Sequence, residues 1–142
     1  MNKQRDSLGF LVADLSRLMR RAFTAGLGDS SITLNEARAL VHVSRHQGVR
    51  QIDLAEMLEI QPIQLARLID RLQALHLVER RTAPQDRRAY HIYLLPAATE
   101  VLASFEDVAK GIRAEAMKGL SNQQVSAILD GLETIRNNLN PH

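Results

Sequence analysis

The stretch from Gln51 to Leu94 restricts the fold of this chain more than any other. It reads as a short helix, a tight turn, a longer amphipathic helix and a hairpin. In the first helix Ile52, Ala55 and Leu58 share one face at three-residue spacing. Pro62 then marks a helix start, because it lacks the N–H that a first turn leaves unpaired and its φ is already helical. Leu65, Leu68, Leu72 and Leu75, with Ile69, form the apolar stripe of the helix that follows. Its other side carries Gln64, Arg67 and Arg71, with Gln61 and Ile63 near its start. Two helices joined by a turn, the second polar at its N-terminal end, make the helix-turn-helix pattern. Up to this point a plain helical hairpin with a solvated polar face is the favoured reading.

The segment after the second helix decides between them. Val78 to Thr82 and Ala89 to Leu94 are β-prone runs, and residues 83–88 are the expected turn, suited by Pro84 and Asp86. Arg87 and Arg88 have no apolar reason to stand at its tip. A helix-turn-helix followed at once by a basic-tipped ribbon is a winged helix. The helix suits a major groove about 12 Å wide, and wing arginines suit the minor groove, where negative potential is focused. Charge is distributed accordingly. Residues 61–93 hold Arg67, Arg71, Arg80, Arg81, Arg87 and Arg88 against Asp70, Glu79 and Asp86, a local +3, whereas the whole chain carries only +2. Positive charge gathered on one element is the footprint of a nucleic-acid reader.

The flanks are helical. Leu8, Leu11, Val12, Leu15, Leu18, Met19 and Ala22 make a long apolar stripe that ends at Gly26-Leu27-Gly28, where two glycines stop a helix. Thr33 and Glu36 have the spacing of a capping box and start a helix carrying Ala37, Leu40, Val41 and Val43. After the ribbon, Pro96 opens a helix with Val101, Leu102, Phe105, Val108, Ile112 and Ala116 on its apolar side. Ser121 and Gln124 cap a last helix bearing Val125, Ile128, Leu129, Leu132, Ile135 and Leu139. The fold class is therefore mainly α with a small β-hairpin wing. The DNA-binding domain spans residues 34–95, and residues 1–33 and 96–142 form a helical dimerisation region. Leu8, Leu11 and Leu15 at one end, and Leu129, Leu132, Ile135 and Leu139 at the other, are expected to bury one another across a two-fold axis. A monomeric bundle packed on the reader is the alternative.

Several classes fall away. The absence of cysteine leaves no disulfide framework, thiolate metal site or thiol switch. No apolar run approaches the about 18 residues of a membrane span, and the polar start from Met1 to Ser7 lacks a signal-peptide pattern, so a cytoplasmic location is expected. His42 and His46 stand four apart and with Glu36 could suggest a metal hydrolase, but Glu36 is explained by its cap and no further ligand is evident. No phosphate loop or nucleophile motif is present. No enzyme activity, metal or cofactor is expected. A winged helix used for protein–protein contact remains the non-enzymatic alternative.

The runs Ile52-Asp53-Leu54-Ala55, Arg67-Leu68-Ile69-Asp70-Arg71-Leu72, Leu77-Val78-Glu79-Arg80 and, above all, Asp86-Arg87-Arg88-Ala89 with Ile92-Tyr93-Leu94 resemble the MarR family of bacterial transcription regulators, nearest its SlyA-like branch. The resemblance covers nearly the whole chain. It implies a homodimer on a palindromic operator, most often a repressor, with recognition helices in successive major grooves and wings in minor grooves. It implies that Asp86 braces Arg88, and that a small aromatic or phenolic effector weakens DNA binding. The DNA-contacting set it supports is Gln61, Pro62, Ile63, Gln64, Arg67, Arg71, Asp86, Arg87 and Arg88. Three departures stand out: His76 where the family has Gly, Pro96 without a Thr cap before the next helix, and Ile63-Gln64 where Ser or Thr is common. The last bears on which bases are read.

Overall fold

The computed structural model describes residues 5–140, so residues 1–4 and 141–142, at the outer ends of the expected dimerisation segments, lie outside it. Among the described residues the order is α1 (Leu8–Leu27), α2 (Leu34–Arg45), β1 (Val49–Arg50), α3 (Gln51–Leu58), α4 (Pro62–Ala74), β2 (Val78–Ala83), β3 (Asp86–Leu94), α5 (Ala98–Ala116) and α6 (Asn122–Leu139). This is a winged helix with additional helices before and after it. None of these helices is long and apolar enough to cross a membrane. The chain divides into two compact units, Met1–Ala109 and Lys110–His142.

The first unit is built on a single apolar cluster. Leu40 and Val43 of α2, Leu54 and Leu58 of α3, Leu65, Ile69 and Leu72 of α4, and Val78 and Ile92 of the sheet are all fully buried. Two details differ from the sequence pattern. On α3 the buried face is Leu54, Ala55 and Leu58, while Ile52 is exposed. Eight residues are too few for apolar spacing alone to set which side faces in. On α4 the stripe ends early: Leu75 is exposed, and Leu77 enters the core instead. The reason is the turn at His76, which has a left-handed φ of 60°. His76 N–H donates to Gln73 O and Leu77 N–H to Leu72 O, closing a Schellman end that reverses the chain without glycine.

The capping box of α2 forms as its sequence predicts. Glu36 N–H donates to Thr33 Oγ1 at 3.2 Å, and Thr33 N–H donates to Glu36 Oε1 at 2.8 Å. Helix α1 ends within Gly26-Leu27-Gly28 as expected, with Gly28 as its C-cap at φ 56°. It runs through to Leu27, and Gly26 serves close packing, since a Cβ there would come within 2.5 Å of Val108 Cγ1. Phe23 meets Phe105 edge-on at 5.9 Å between ring centres, so the C-terminal half of α1 is docked. Its N-terminal half is not: Leu8, Leu11 and Leu15 are exposed, and exposure continues past the midpoint to Leu18 and Met19. Helix α5 begins at Ala98, two residues beyond Pro96.

The sheet has three strands rather than the expected two, all antiparallel in the order β1-β3-β2. Strand β1 adds Val49 opposite Ile92 and Arg50 opposite His91. Gly48 makes this approach possible. Its φ is 84°, and a Cβ there would come within 2.8 Å of the Tyr93 hydroxyl oxygen. In the second unit, Ser121 and Gln124 form the expected capping box of α6, with Gln124 N–H donating to Ser121 Oγ at 3.1 Å. On α6 Ile128, Leu129, Leu132 and Leu139 are exposed, and Ile135 is half-buried.

Candidate nucleic-acid interface

The helix-turn-helix is positioned from both ends of the α3–α4 turn. Glu59 closes α3 in the left-handed region at φ 55°, and Pro62 opens α4 at its first turn. Burial of Leu65, Ile69 and Leu72 fixes the rotation of α4, which leaves Gln61, Pro62, Ile63, Gln64 and Arg67 exposed. Ile63 is 64% exposed, an apolar side chain standing in solvent beside polar neighbours. Gln64 is partly committed, because its Oε1 accepts the Gln61 N–H at 3.2 Å. Its amide NH₂ retains donors for another partner.

The wing differs from the expected ribbon in a way that matters. The turn is only Pro84-Gln85, flanked by the Ala83–Asp86 pair, and Arg87 and Arg88 lie on β3 rather than in the turn. Thr82 pairs with Tyr90 and Ala83 with Asp86, so Arg87, Arg88 and Ala89 bulge from the ladder opposite a single step of β2. Extra residues on one strand bend it and re-aim its side chains. Arg87 and Arg88 are both exposed there.

The six arginines of this segment separate into two groups. Three are committed internally. Arg71 Nε lies 2.6 Å from Glu36 Oε2, and its Nη2 donates to Ser31 O at 2.6 Å. Arg80 donates from Nε to Gln51 Oε1 at 2.8 Å, from Nη1 to Asp70 Oδ1 at 2.5 Å and from Nη2 to Ala66 O at 2.9 Å. It thereby ties β2 to α3 and α4. Arg81 pairs with Glu79 and stacks over Tyr93 at 4.1 Å from the ring centre. Among the described residues, Arg67, Arg87 and Arg88 have no ion-pair partner. Arg71, expected in the DNA-contacting set, thus has two of its donors already engaged.

Asp86 does not brace Arg88. Its Oδ2 lies 3.6 Å from Arg50 Nε and 3.8 Å from His91 Nε2. The substitution of partner follows from β1, which the sequence pattern did not reveal: pairing Arg50 opposite His91 delivers Arg50 to the wing base. His91 is oriented by its Nδ1, 3.0 Å from Gly48 O, and Nε2 is buried without a hydrogen-bond partner among the described residues. Between the start of α4 and the wing lies a cleft of about 370 Å³, lined by Arg50, Gln51, Ile52, Pro62, Arg88, Ala89 and Tyr90. The exposed Ile52 belongs to this cleft.

A second concavity, of about 260 Å³, lies between α1 and α2. Met19, Phe23, Leu34, Ala37 and Val41 give it an apolar lining, and Arg20, Arg38 and His42 are its polar members. Burial holds the His42 imidazole below its ordinary pKa, with Arg38, His46 and Arg45 adding to the effect.

A model of the MarR family matches residues 30–89, from the α2 cap into the wing. Among solved structures, the transcriptional regulator PA3341 is 30% identical over 96% of this chain and 100% of its own, with a TM-score of 0.80. Apo wild-type MarR from E. coli is 20% identical over 94% of this chain and 98% of its own, at 0.82. BpsR of Bordetella bronchiseptica, whose DNA binding is regulated by 6-hydroxynicotinic acid, is 21% identical over 92% and 99%, at 0.75.

Proposed function

Because the chain belongs to the MarR family of transcription regulators, we propose that it binds double-stranded DNA as a homodimer and represses the genes whose operators it covers. One observation carries this reading: Pro62 at the start of α4 and Arg88 on the wing wall the same cleft, so the recognition helix and the wing act on one stretch of DNA. The exposed Gln61, Ile63, Gln64 and Arg67 then face base edges in the major groove, where Gln suits adenine and an apolar group suits the thymine methyl. Arg87 and Arg88 reach the minor groove. Residues 34–95 do the reading. The exposed apolar faces of α1 (Leu8, Leu11, Leu15) and of α6 (Leu129, Leu132, Leu139, with half-buried Ile135) support pairing of two chains through their terminal helices. A two-fold dimer reads a palindrome, with half-sites about 34 Å apart.

The groove between α1 and α2 supports ligand control. Its apolar lining with arginines among the walls suits a small aromatic acid or phenol, the class to which the regulator of BpsR belongs. Ligand and DNA then oppose each other through a reciprocal coupling of about 1–3 kcal/mol. The test is binding of the full chain to a duplex selected from a random pool, followed across a salt series. Affinity that falls steeply with salt, and falls further in Arg88→Ala, is the expected result. Affinity independent of salt would point to protein contact instead.

A further inference from the structure

We propose that Arg50 is a DNA-contacting residue, the phosphate anchor between recognition helix and wing; this rests on the DNA-binding reading above. The sugar–phosphate strand is the wall that separates a major groove from the adjacent minor groove. If α4 occupies one and Arg88 the other, the intervening strand must pass between Pro62 and Arg88. That space is the cleft of about 370 Å³, and Arg50 stands on its wall.

Arg50 is held for this role from two directions. Its backbone is fixed by the β1–β3 ladder, opposite His91. Its Nε faces Asp86 Oδ2 at 3.6 Å, and its side chain remains 49% exposed. A guanidinium carries five donors in a planar fork, so a carboxylate on the Nε edge leaves the two terminal nitrogens for a phosphate. Asp86 therefore restrains Arg50 rather than neutralising a wing-tip arginine, and Arg88 is left to enter the groove unbraced. Arg88, the other arginine of the cleft, adds to its positive field.

A strut that merely holds the wing would give the same contact with Asp86, so the experiment must separate the two roles. The full chain and its Arg50→Ala and Arg50→Lys variants are titrated with a random-sequence duplex and with a duplex selected for tight binding, each across a salt series, alongside thermal melts. A phosphate anchor contributes about one released counterion, so Arg50→Ala lowers affinity for both duplexes by the same factor, about five-fold at ~0.15 M salt, and reduces the salt slope by about one. Its melting temperature stays at that of the parent, and Arg50→Lys restores the slope. A parental slope in Arg50→Ala overturns the proposal. So does a slope lost together with thermal stability and not restored by Lys, which is the signature of a strut. A parent without salt-dependent DNA binding removes the underlying reading itself, an outcome distinct from both.

Discussion

Arg71 of α4 holds the carboxylate of Glu36, at 2.6 Å from Nε to Oε2, and that carboxylate also closes the capping box of α2 through its other oxygen. Glu36 is only 4% exposed, whereas the Arg71 side chain is half exposed. The start of α2 and the last turn of α4 are thus joined by one buried anion. Leu34 and Ala37, beside Glu36 on α2, line the groove proposed for a ligand. A ligand that tilts α2 would act on the recognition helix through this pair.

Arg71→Ala is accordingly expected to cost stability before it costs DNA affinity. It strands a buried carboxylate, and about 1–3 kcal/mol is the expected loss, less than for a fully buried pair because Arg71 is half solvated. Adding Glu36→Gln to it should recover part of that loss, by removing the stranded charge. Urea unfolding of the parent, Arg71→Ala and the double variant measures this. Unchanged unfolding midpoints with a smaller salt slope of DNA binding would instead make Arg71 a phosphate contact.

Arg80 should behave as a structural clamp. Its side chain is 16% exposed and spans Gln51, Ala66 and Asp70, three partners on two helices. Arg80→Ala should destabilise the fold by about 2–3 kcal/mol in chemical unfolding. Lys should rescue little of this, because a point charge cannot reach three separated acceptors as a planar fork does. Full rescue by Arg80→Lys would show that only charge matters there.

Base choice should reside at the start of α4. Replacing Ile63 and Gln64 together by Ser is expected to change which duplexes a random pool yields, more than it changes affinity for non-specific DNA. Because Gln64 also accepts the Gln61 N–H, the variant should lose up to about 1 kcal/mol of stability. An unaltered selected sequence would remove both residues from the reading set.

The parent chain should sediment at about 32 kDa, twice its 15.9 kDa, if two-fold pairing closes the assembly. Leu132→Asp with Ile135→Asp should dissociate or unfold it and abolish binding to a selected palindrome. A parent that runs as a monomer while protecting a palindromic site would sink the dimer.

Stability should fall on the acid side through His42. Burial and then Arg38, His46 and Arg45 hold its folded-state pKa below the ordinary value. The unfolded chain, with an imidazole near about 6.5, therefore binds the proton more readily. Stability from this group is intact above about pH 6.5 and is lost as pH drops below it. His42→Gln should flatten that acid limb when melting temperatures are compared between about pH 7.5 and pH 5.5. An identical pH dependence in parent and variant would assign the limb to other groups.

Much of the fold was legible because its determinants lie within a few residues of each other. Thr33 with Glu36 and Ser121 with Gln124 are caps whose partners are three apart, and both form. Pro62 sets the start of α4 by its own geometry, and the apolar spacing after it identifies the buried side as Leu65, Ile69 and Leu72. The wing was recognisable from its β-prone runs and its two arginines. Short spacing failed where the element was short. Ile52 faces outward on the eight-residue α3, and the two-residue β1 left no pattern to read.

By itself, then, the sequence determined the helices, their caps, the helix-turn-helix and the basic wing, since propensity, periodicity and capping act over one or two turns. It could not determine which arginines are free. Arg71 meets Glu36, Arg80 meets Gln51, and Asp86 takes Arg50 instead of Arg88, across separations that only the folded chain closes. A guanidinium reads the same in sequence whether it faces solvent or a carboxylate, because an ion pair is decided by a few ångströms of approach. Tertiary structure therefore left Arg67, Arg87 and Arg88 unpaired among the described residues and moved Arg50 to the cleft beside Arg88, because packing of the core set where each of those side chains could reach.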